Sequence, residues 1–208
     1  MGSESIDLSL GNIWKSWFAF RKGKKYSREL HEFQYHLEEN IAELFEDLNS
    51  GKYQHGSYKK FIVADNKKRE VSVAHIRDRI VHRVIYDLLT KLYDKTFIYD
   101  AWSCRTGKGL LGCIKRTQQF LKSYPQSHIW KGDVRKFFDS VNQNVLLQIL
   151  ARKIKDEKTM NLLKKIVFSF ERERERERER VAACVECQSE ISRAKSSQTS
   201  ISTNSIVS

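Results

Sequence analysis

Apolar residues recur at three- and four-residue spacing over residues 27–50: Leu30, Phe33, Leu37, Ile41, Leu44, Phe45 and Leu48. That period predicts one long amphipathic helix, capped by Ser27 and stopped by Gly51. Two short runs of strand-forming residues follow, 60–64 and 69–73, separated by Asp65-Asn66-Lys67-Lys68. Their composition predicts a β-hairpin with a polar turn. From about Ala74 to Tyr93 the helical period returns, with Ile76, Ile80, Val84, Leu88 and Leu92 on one face and Arg77, Arg79, His82 and Arg83 off it. Phe97–Ser103 reads as extended, Arg105–Gly109 as a basic, glycine-bearing turn, and Leu110–Tyr124 as a helix ended by Pro125, the only proline. His128–Val134 reads as a strand that delivers Asp133 at its end, and helices are expected near 144–155 and 157–169. The period disappears at Glu171, where five Glu-Arg dipeptides precede a Ser/Thr-rich stretch. Such a tail has no apolar face to bury and the composition of disorder; its two-residue repeat also matches translated simple-sequence DNA.

Charge sharpens this outline. The net charge is +12, and residues 1–170 carry all of it, with 31 basic against 19 acidic side chains. An excess of that size on the folded part points to a polyanion, nucleic acid first and anionic membrane second. No apolar run approaches the roughly 20 residues that span a bilayer, and residues 1–12 lack the order of a signal peptide. The expectation is a cytoplasmic chain without a membrane partner, with Cys104, Cys113, Cys184 and Cys187 as free thiols. Cys184 and Cys187 form a C-x-x-C, but no second pair completes a zinc site. Residues 13–26 interleave Trp14, Trp17, Phe18 and Phe20 with Lys15, Arg21, Lys22, Lys24 and Lys25. That pattern suits base stacking with phosphate contact; it equally suits aromatics packed on the next helix with lysines in water.

The segment with the most chemistry is Trp130 to Ser140: a strand ending in Asp133, a basic turn, then Phe137, Phe138 and Asp139. A carboxylate at a strand end, with the neighbouring Val134 carbonyl, can ligate Mg2+, whose hard shell takes oxygen donors. As ordinary residues, Asp133 and Asp139 would instead serve a turn and a helix cap. The run Asp133-Val134-Arg135-Lys136-Phe137-Phe138-Asp139-Ser140 resembles the first palm motif of reverse transcriptases of the group II intron and diversity-generating retroelement type. Arg69–Val73 with Ile76-Arg77-Asp78-Arg79-Ile80-Val81-His82 resembles that family's fingers motif and following helix start. Phe97–Gly109 resembles its next block, ending in an Arg and a Gly-basic-Gly turn. The three blocks stand in the family's order, within a resemblance covering about residues 13–170.

The resemblance implies an incomplete α+β right-hand polymerase fold. It would comprise a basic, aromatic segment (1–26), a fingers-like region (27–127), the start of a palm (128–170) and a disordered tail (171–208). It implies RNA-directed DNA polymerase activity, with an RNA template and primer, dNTP and Mg2+ as partners. Asp133 and Val134 would hold metal. Lys67, Lys68 and Arg69 would hold the triphosphate, and Phe138 would close the sugar pocket against a 2′-hydroxyl. Arg77, Arg79, Arg105, Gly107, Lys108 and Gly109 would contact template, although Arg77 and Arg79 could instead form surface salt bridges with Asp78 and its neighbours. The family's second palm motif, an aromatic-x-Asp-Asp turn, is missing: no Asp-Asp pair occurs, and no Asp follows Asp156. The expectation is therefore a truncated, inactive polymerase, or alternatively a non-catalytic RNA-binding module derived from one.

Overall fold

The computed structural model describes residues 5–64, 68–134 and 137–170, with only the backbone of 138 and 139. The expected turn at 65–67, the basic pair Arg135-Lys136 and the tail 171–208, with its Cys184 and Cys187, lie outside the described residues. The chain is helix-rich α+β and divides into two compact units. The first takes residues up to 53 and 76–163; the second takes 54–75 and residues from 164 onward.

In the first unit, Ser9 caps α1 (Leu10–Arg21) by accepting from the Asn12 N–H at 3.3 Å. The interleaved aromatic segment is thus helical, and Ile13, Trp17 and Phe20 fall on its buried face. Ser27 caps α2 (Arg28–Tyr35), as expected, with its hydroxyl 3.2 Å from the Leu30 N–H. The single helix expected over 27–50 is two, because α2 stops at Tyr35 and α3 (Leu37–Asn49) begins after His36. The Asn40 amide donates to the Phe33 carbonyl at 3.1 Å, an asparagine side chain competing for a helical acceptor at this break. Gly51 follows α3 at φ +74, the left-handed backbone that favours glycine.

The next long helix, α4 (Ile76–Tyr93), buries Ile76, Ile80, Val81, Val84, Ile85 and Leu88. It packs most extensively on α1, which also packs against α3. The core there is Ile13, Trp17, Ile41, Leu44, Ile80 and Val81, all at most 1 % exposed. A 3-10 turn (Asp94–Thr96) leads into α5 (Leu110–Ser123), which ends just before Pro125. None of α5 is buried: Leu110, Leu111, Ile114, Phe120 and Leu121 all face solvent.

Two expectations fail here. Residues 97–103 are not extended but a chain of bends and turns, and 128–134 is irregular rather than a strand. A strand needs a neighbour for its N–H and C=O groups, and among the described residues only the hairpin strands pair. The short α6 (Phe137–Ser140) follows, then α7 (Gln143–Ala151), capped by Asn142, and α8 (Glu157–Val167). The N-terminal segment is tied back to α8 through the Ile6 N–H, which donates to the buried Thr159 hydroxyl at 3.0 Å.

In the second unit, β1 (Tyr58–Ala64) and β2 (Lys68–Ala74) form the expected antiparallel hairpin, in register from Tyr58 opposite Ala74 to Ala64 opposite Lys68. The Tyr58 hydroxyl is 2.7 Å from Ser169 Oγ, and the Phe170 ring meets the Tyr58 ring edge-on at 5.6 Å. No helix among the described residues is long and apolar enough to cross a membrane.

Candidate nucleic-acid and nucleotide interface

The residues singled out from the sequence fall into four places. The first is the loop from Asp94 to Gly109. Arg105 lies at its centre with a side chain only 14 % exposed. Its guanidinium donates to Asp94 Oδ1 at 2.8 Å and to the Asp94 carbonyl at 2.9 Å. It also donates to the carbonyls of Ile98 and Ala101 at 3.1 and 3.3 Å. Carbonyls that would otherwise need strand partners are thereby satisfied by one side chain, so the segment turns rather than extends. The hydrogen bond from Arg105 holds the Asp94 carboxyl below its ordinary value, and the same bond raises Arg105. Arg116 binds Asp100 in the same way, at 3.0 Å, and lowers that carboxyl too. Gly107 takes φ +73, which gives the turn its shape. Lys108 donates to the Tyr99 carbonyl, with its ammonium 3.8 Å from the Tyr99 ring and 4.6 Å from the Trp102 ring. Gly109 is extended and precedes α5. Arg105 is therefore spent on the loop's own backbone, while the exposed Tyr99 and the half-buried Lys108 form a cation–aromatic surface.

Arg77 and Arg79 open α4. Arg77 pairs with Asp47 on α3, and its guanidinium lies 5.4 Å from the Tyr53 ring. Arg79 lies over Phe20, 4.9 Å from the ring centre. Asp78, which the sequence suggested as a surface partner for both, is buried at 2 % exposure and accepts from the equally buried Tyr53 hydroxyl at 2.7 Å. This buried tyrosine–aspartate bond was missed; the one sequence signal for it is an acid flanked by arginines close to the apolar stripe of α4.

Lys68 and Arg69 are exposed at the start of β2, opposite Ala64 and Val63, beside a shallow depression of about 340 Å3 that Lys60, Phe61 and Ile62 also line. Lys67 lies outside the described residues. In the first unit, Asp133 and Val134 are exposed on irregular chain. The backbone of Phe138 is in α6, but its side chain is not among the described atoms. No cluster of three or more His, Cys, Asp or Glu occurs among the described residues. One exposed carboxylate and a carbonyl do not make an octahedral Mg2+ site, so the donor set present does not by itself fit the ion.

Together these features define a basic, helix-rich α+β chain whose cations are displayed on turns, a hairpin and helix surfaces. No family profile matches the chain. It is similar to the Putative COX1/OXI3 intron 2 protein of Saccharomyces cerevisiae, 28% identical over 131 residues, which is 61% of this chain and 15% of that protein. It is also similar to the Uncharacterized 91 kDa protein in cob intron of Schizosaccharomyces pombe, 23% identical over 128 residues, covering 60% of this chain and 16% of that protein. Protein YkfC of Escherichia coli is 24% identical over 129 residues, 60% of this chain and 34% of its own length. Two of these relatives are named for the introns that carry them. The chain spans about a third or less of the length of each.

Proposed function

We propose that these residues are the fingers and first palm motif of an RNA-directed DNA polymerase, which adds dNTPs to a primer under an RNA template. The observation that carries this reading is the block Asp133–Ser140, standing after the Arg69–His82 and Phe97–Gly109 blocks in the order of the reverse transcriptase family. Similarity to intron-named proteins supports it. Phosphoryl transfer is catalysed mainly by positioning and by neutralising triphosphate charge. In this reading Lys67, Lys68 and Arg69 supply that charge, Asp133 and the Val134 carbonyl contribute to a Mg2+ site, and Phe138 excludes the 2′-hydroxyl. Lys108 contacts template phosphates, and Arg105 holds the turn that presents it.

A two-metal polymerase site needs carboxylates beyond Asp133, and residues 1–208 contain no Asp-Asp pair. The 208-residue polypeptide is therefore expected to bind a primed RNA template without extending it. Joined to the remaining palm and thumb of a relative, it should incorporate dNTPs with Mg2+. In that chimera Asp133→Asn should abolish incorporation at unchanged RNA affinity, and Phe138→Ala should admit ribonucleotides. Full activity of the Asp133→Asn chimera would remove the assignment. A second reading, a non-catalytic RNA-binding module, is favoured by the cation–aromatic surface at Lys108 and Tyr99. It predicts salt-dependent RNA binding by a chain whose chimera stays inactive.

A further inference from the structure

Between the N-terminal segment, α1 and α4 lies a groove of about 600 Å3, with Thr106 of the basic turn also on its lining. That volume falls in the range of small-ligand sites; of the residues singled out from the sequence for nucleic-acid contact, Lys15 of the interleaved aromatic segment lines it, and none of those carried over from the family resemblance does. We propose that this groove holds one nucleotide unit of a single-stranded nucleic acid, with the phosphodiester on Lys15 and Lys91 and the base against Tyr86. The proposal rests on the nucleic-acid reading above and adds a second contact to it.

Charge selects the ligand. Lys15 and Lys91 are exposed, and neither makes a hydrogen bond or close ion pair among the described residues. Among the described lining residues, Asp7 is the only acid without an arginine partner. Its carboxyl sits below its ordinary value, chiefly through hydrogen bonds from Ser9 and further through Lys91 and Lys15. It is thus ionised at neutral pH. Arg83 and Asp87 are already a pair, 3.1 Å apart, and cancel. Two lysines against one aspartate leave a single positive charge. That matches a phosphodiester, which carries one negative charge; a triphosphate would bring three to four and meet Asp7 with repulsion.

Shape selects a strand. Tyr86 is 42% exposed on the groove wall, and the Arg83 guanidinium lies 5.0 Å from its ring. A flat ring backed by a cation is a stacking surface for an unpaired base, which a duplex does not offer. The Tyr86 hydroxyl reaches the Cys104 carbonyl at 3.5 Å, immediately before the turn that carries Lys108. The groove is therefore continuous with the turn, and a strand leaving one can enter the other.

The test uses the 208-residue protein, an eight-nucleotide oligouridylate, inorganic phosphate and ATP, with binding read by anisotropy and calorimetry. Lys15→Ala/Lys91→Ala should weaken oligouridylate binding about tenfold and flatten its log–log salt slope by about 0.7, the loss of one single-strand phosphate contact. Asp7→Asn should strengthen oligouridylate binding and tighten ATP binding relative to the unaltered protein. Unchanged oligouridylate affinity in both variants overturns the groove, and if Lys108→Ala still weakens binding, the wider nucleic-acid reading survives. Binding of ATP or phosphate tighter than that of the oligomer, and lost in Lys15→Ala/Lys91→Ala, overturns the phosphodiester assignment. No binding of any probe overturns both readings.

Discussion

Tyr53 and Asp78 mark the two points where the chain leaves the first unit for the hairpin and returns from it. Tyr53→Phe removes the hydroxyl that makes their bond. The ring stays buried, the Tyr53 N–H keeps its 3.0 Å bond to the Asp47 carbonyl, and Arg77 keeps a ring to lie on. Only the hydroxyl is lost, and with it the 2.7 Å donation to a carboxyl in a residue 2 % exposed. Withdrawing one donor from a buried polar group costs about 1–3 kcal/mol. For a chain of this size, about 2 kcal/mol lowers Tm by roughly 4–8 °C. Urea denaturation of Tyr53→Phe, Asp78→Ala and the double variant completes a cycle, with an expected coupling of about 0.5–3 kcal/mol. Amides of residues 54–57 should exchange faster in Tyr53→Phe than those of α1 and α3, because the departure point loosens before the helices do. Additivity within about 0.5 kcal/mol, or an exchange increase spread evenly over α1 and α3, would refute the reasoning.

Two further outcomes follow from the loop and the helix stop. Asp94 is held below its usual value of 3.8 by Arg105. A depressed carboxyl stabilises the fold above its unfolded value and loses that contribution as pH falls through the folded one. Amide protection over residues 98–109 should therefore be constant from neutral pH to about pH 4 and fall below it, and Arg105→Ala should remove both the protection and its acid dependence. Gly51→Ala places a Cβ on backbone at φ +74 with no atom within 4 Å to clash. Its cost is conformational alone, roughly 1 kcal/mol, measurable as a lower urea midpoint at unchanged m-value.

Helices α4, α7 and α8 were legible because each carries an apolar stripe, part of which is buried. Ser27, Gly51 and Pro125 mark ends by local chemistry that needs no tertiary partner. The break at His36 was not legible, because it coincides with the Asn40 side chain reaching back to a particular carbonyl, and apolar periodicity carries no trace of that bond. The turns at 97–103 were misread for a related reason. Aromatic and β-branched residues there suggest a strand, but Arg105, two residues beyond, takes the carbonyls. The expected strand at 128–134 has suitable residues and no pairing partner among those described. α5 shows the same limit from the other side: its apolar residues were correctly placed on a helix, yet periodicity does not say what an apolar face packs against, and here it stays exposed.

The candidate site follows a division between two kinds of cation that spacing alone does not reveal. Arg77, Arg83, Arg105 and Arg116 each pair with an aspartate: Asp47, Asp87, Asp94 and Asp100. Such pairs exploit the planar, multi-donor guanidinium, which can grip a carboxylate and neighbouring carbonyls together. Among the described residues Lys15 and Lys91 have no such partner, and Lys108 donates a hydrogen bond to one carbonyl while resting on two rings. An ammonium on a flexible stem gains less from a fixed carboxylate and stays available to a phosphate that arrives from outside. The family resemblance put Arg105 and Lys108 in one role, template contact. Their geometry separates them. Arg105 determines where the loop's carbonyls point, and Lys108 occupies the surface that results. The net charge of +12 already discounts these arginine–aspartate pairs, which cancel within it: the pairs hold the scaffold, and the excess resides on other cations, Lys15 on α1 and Lys91 on α4 among them.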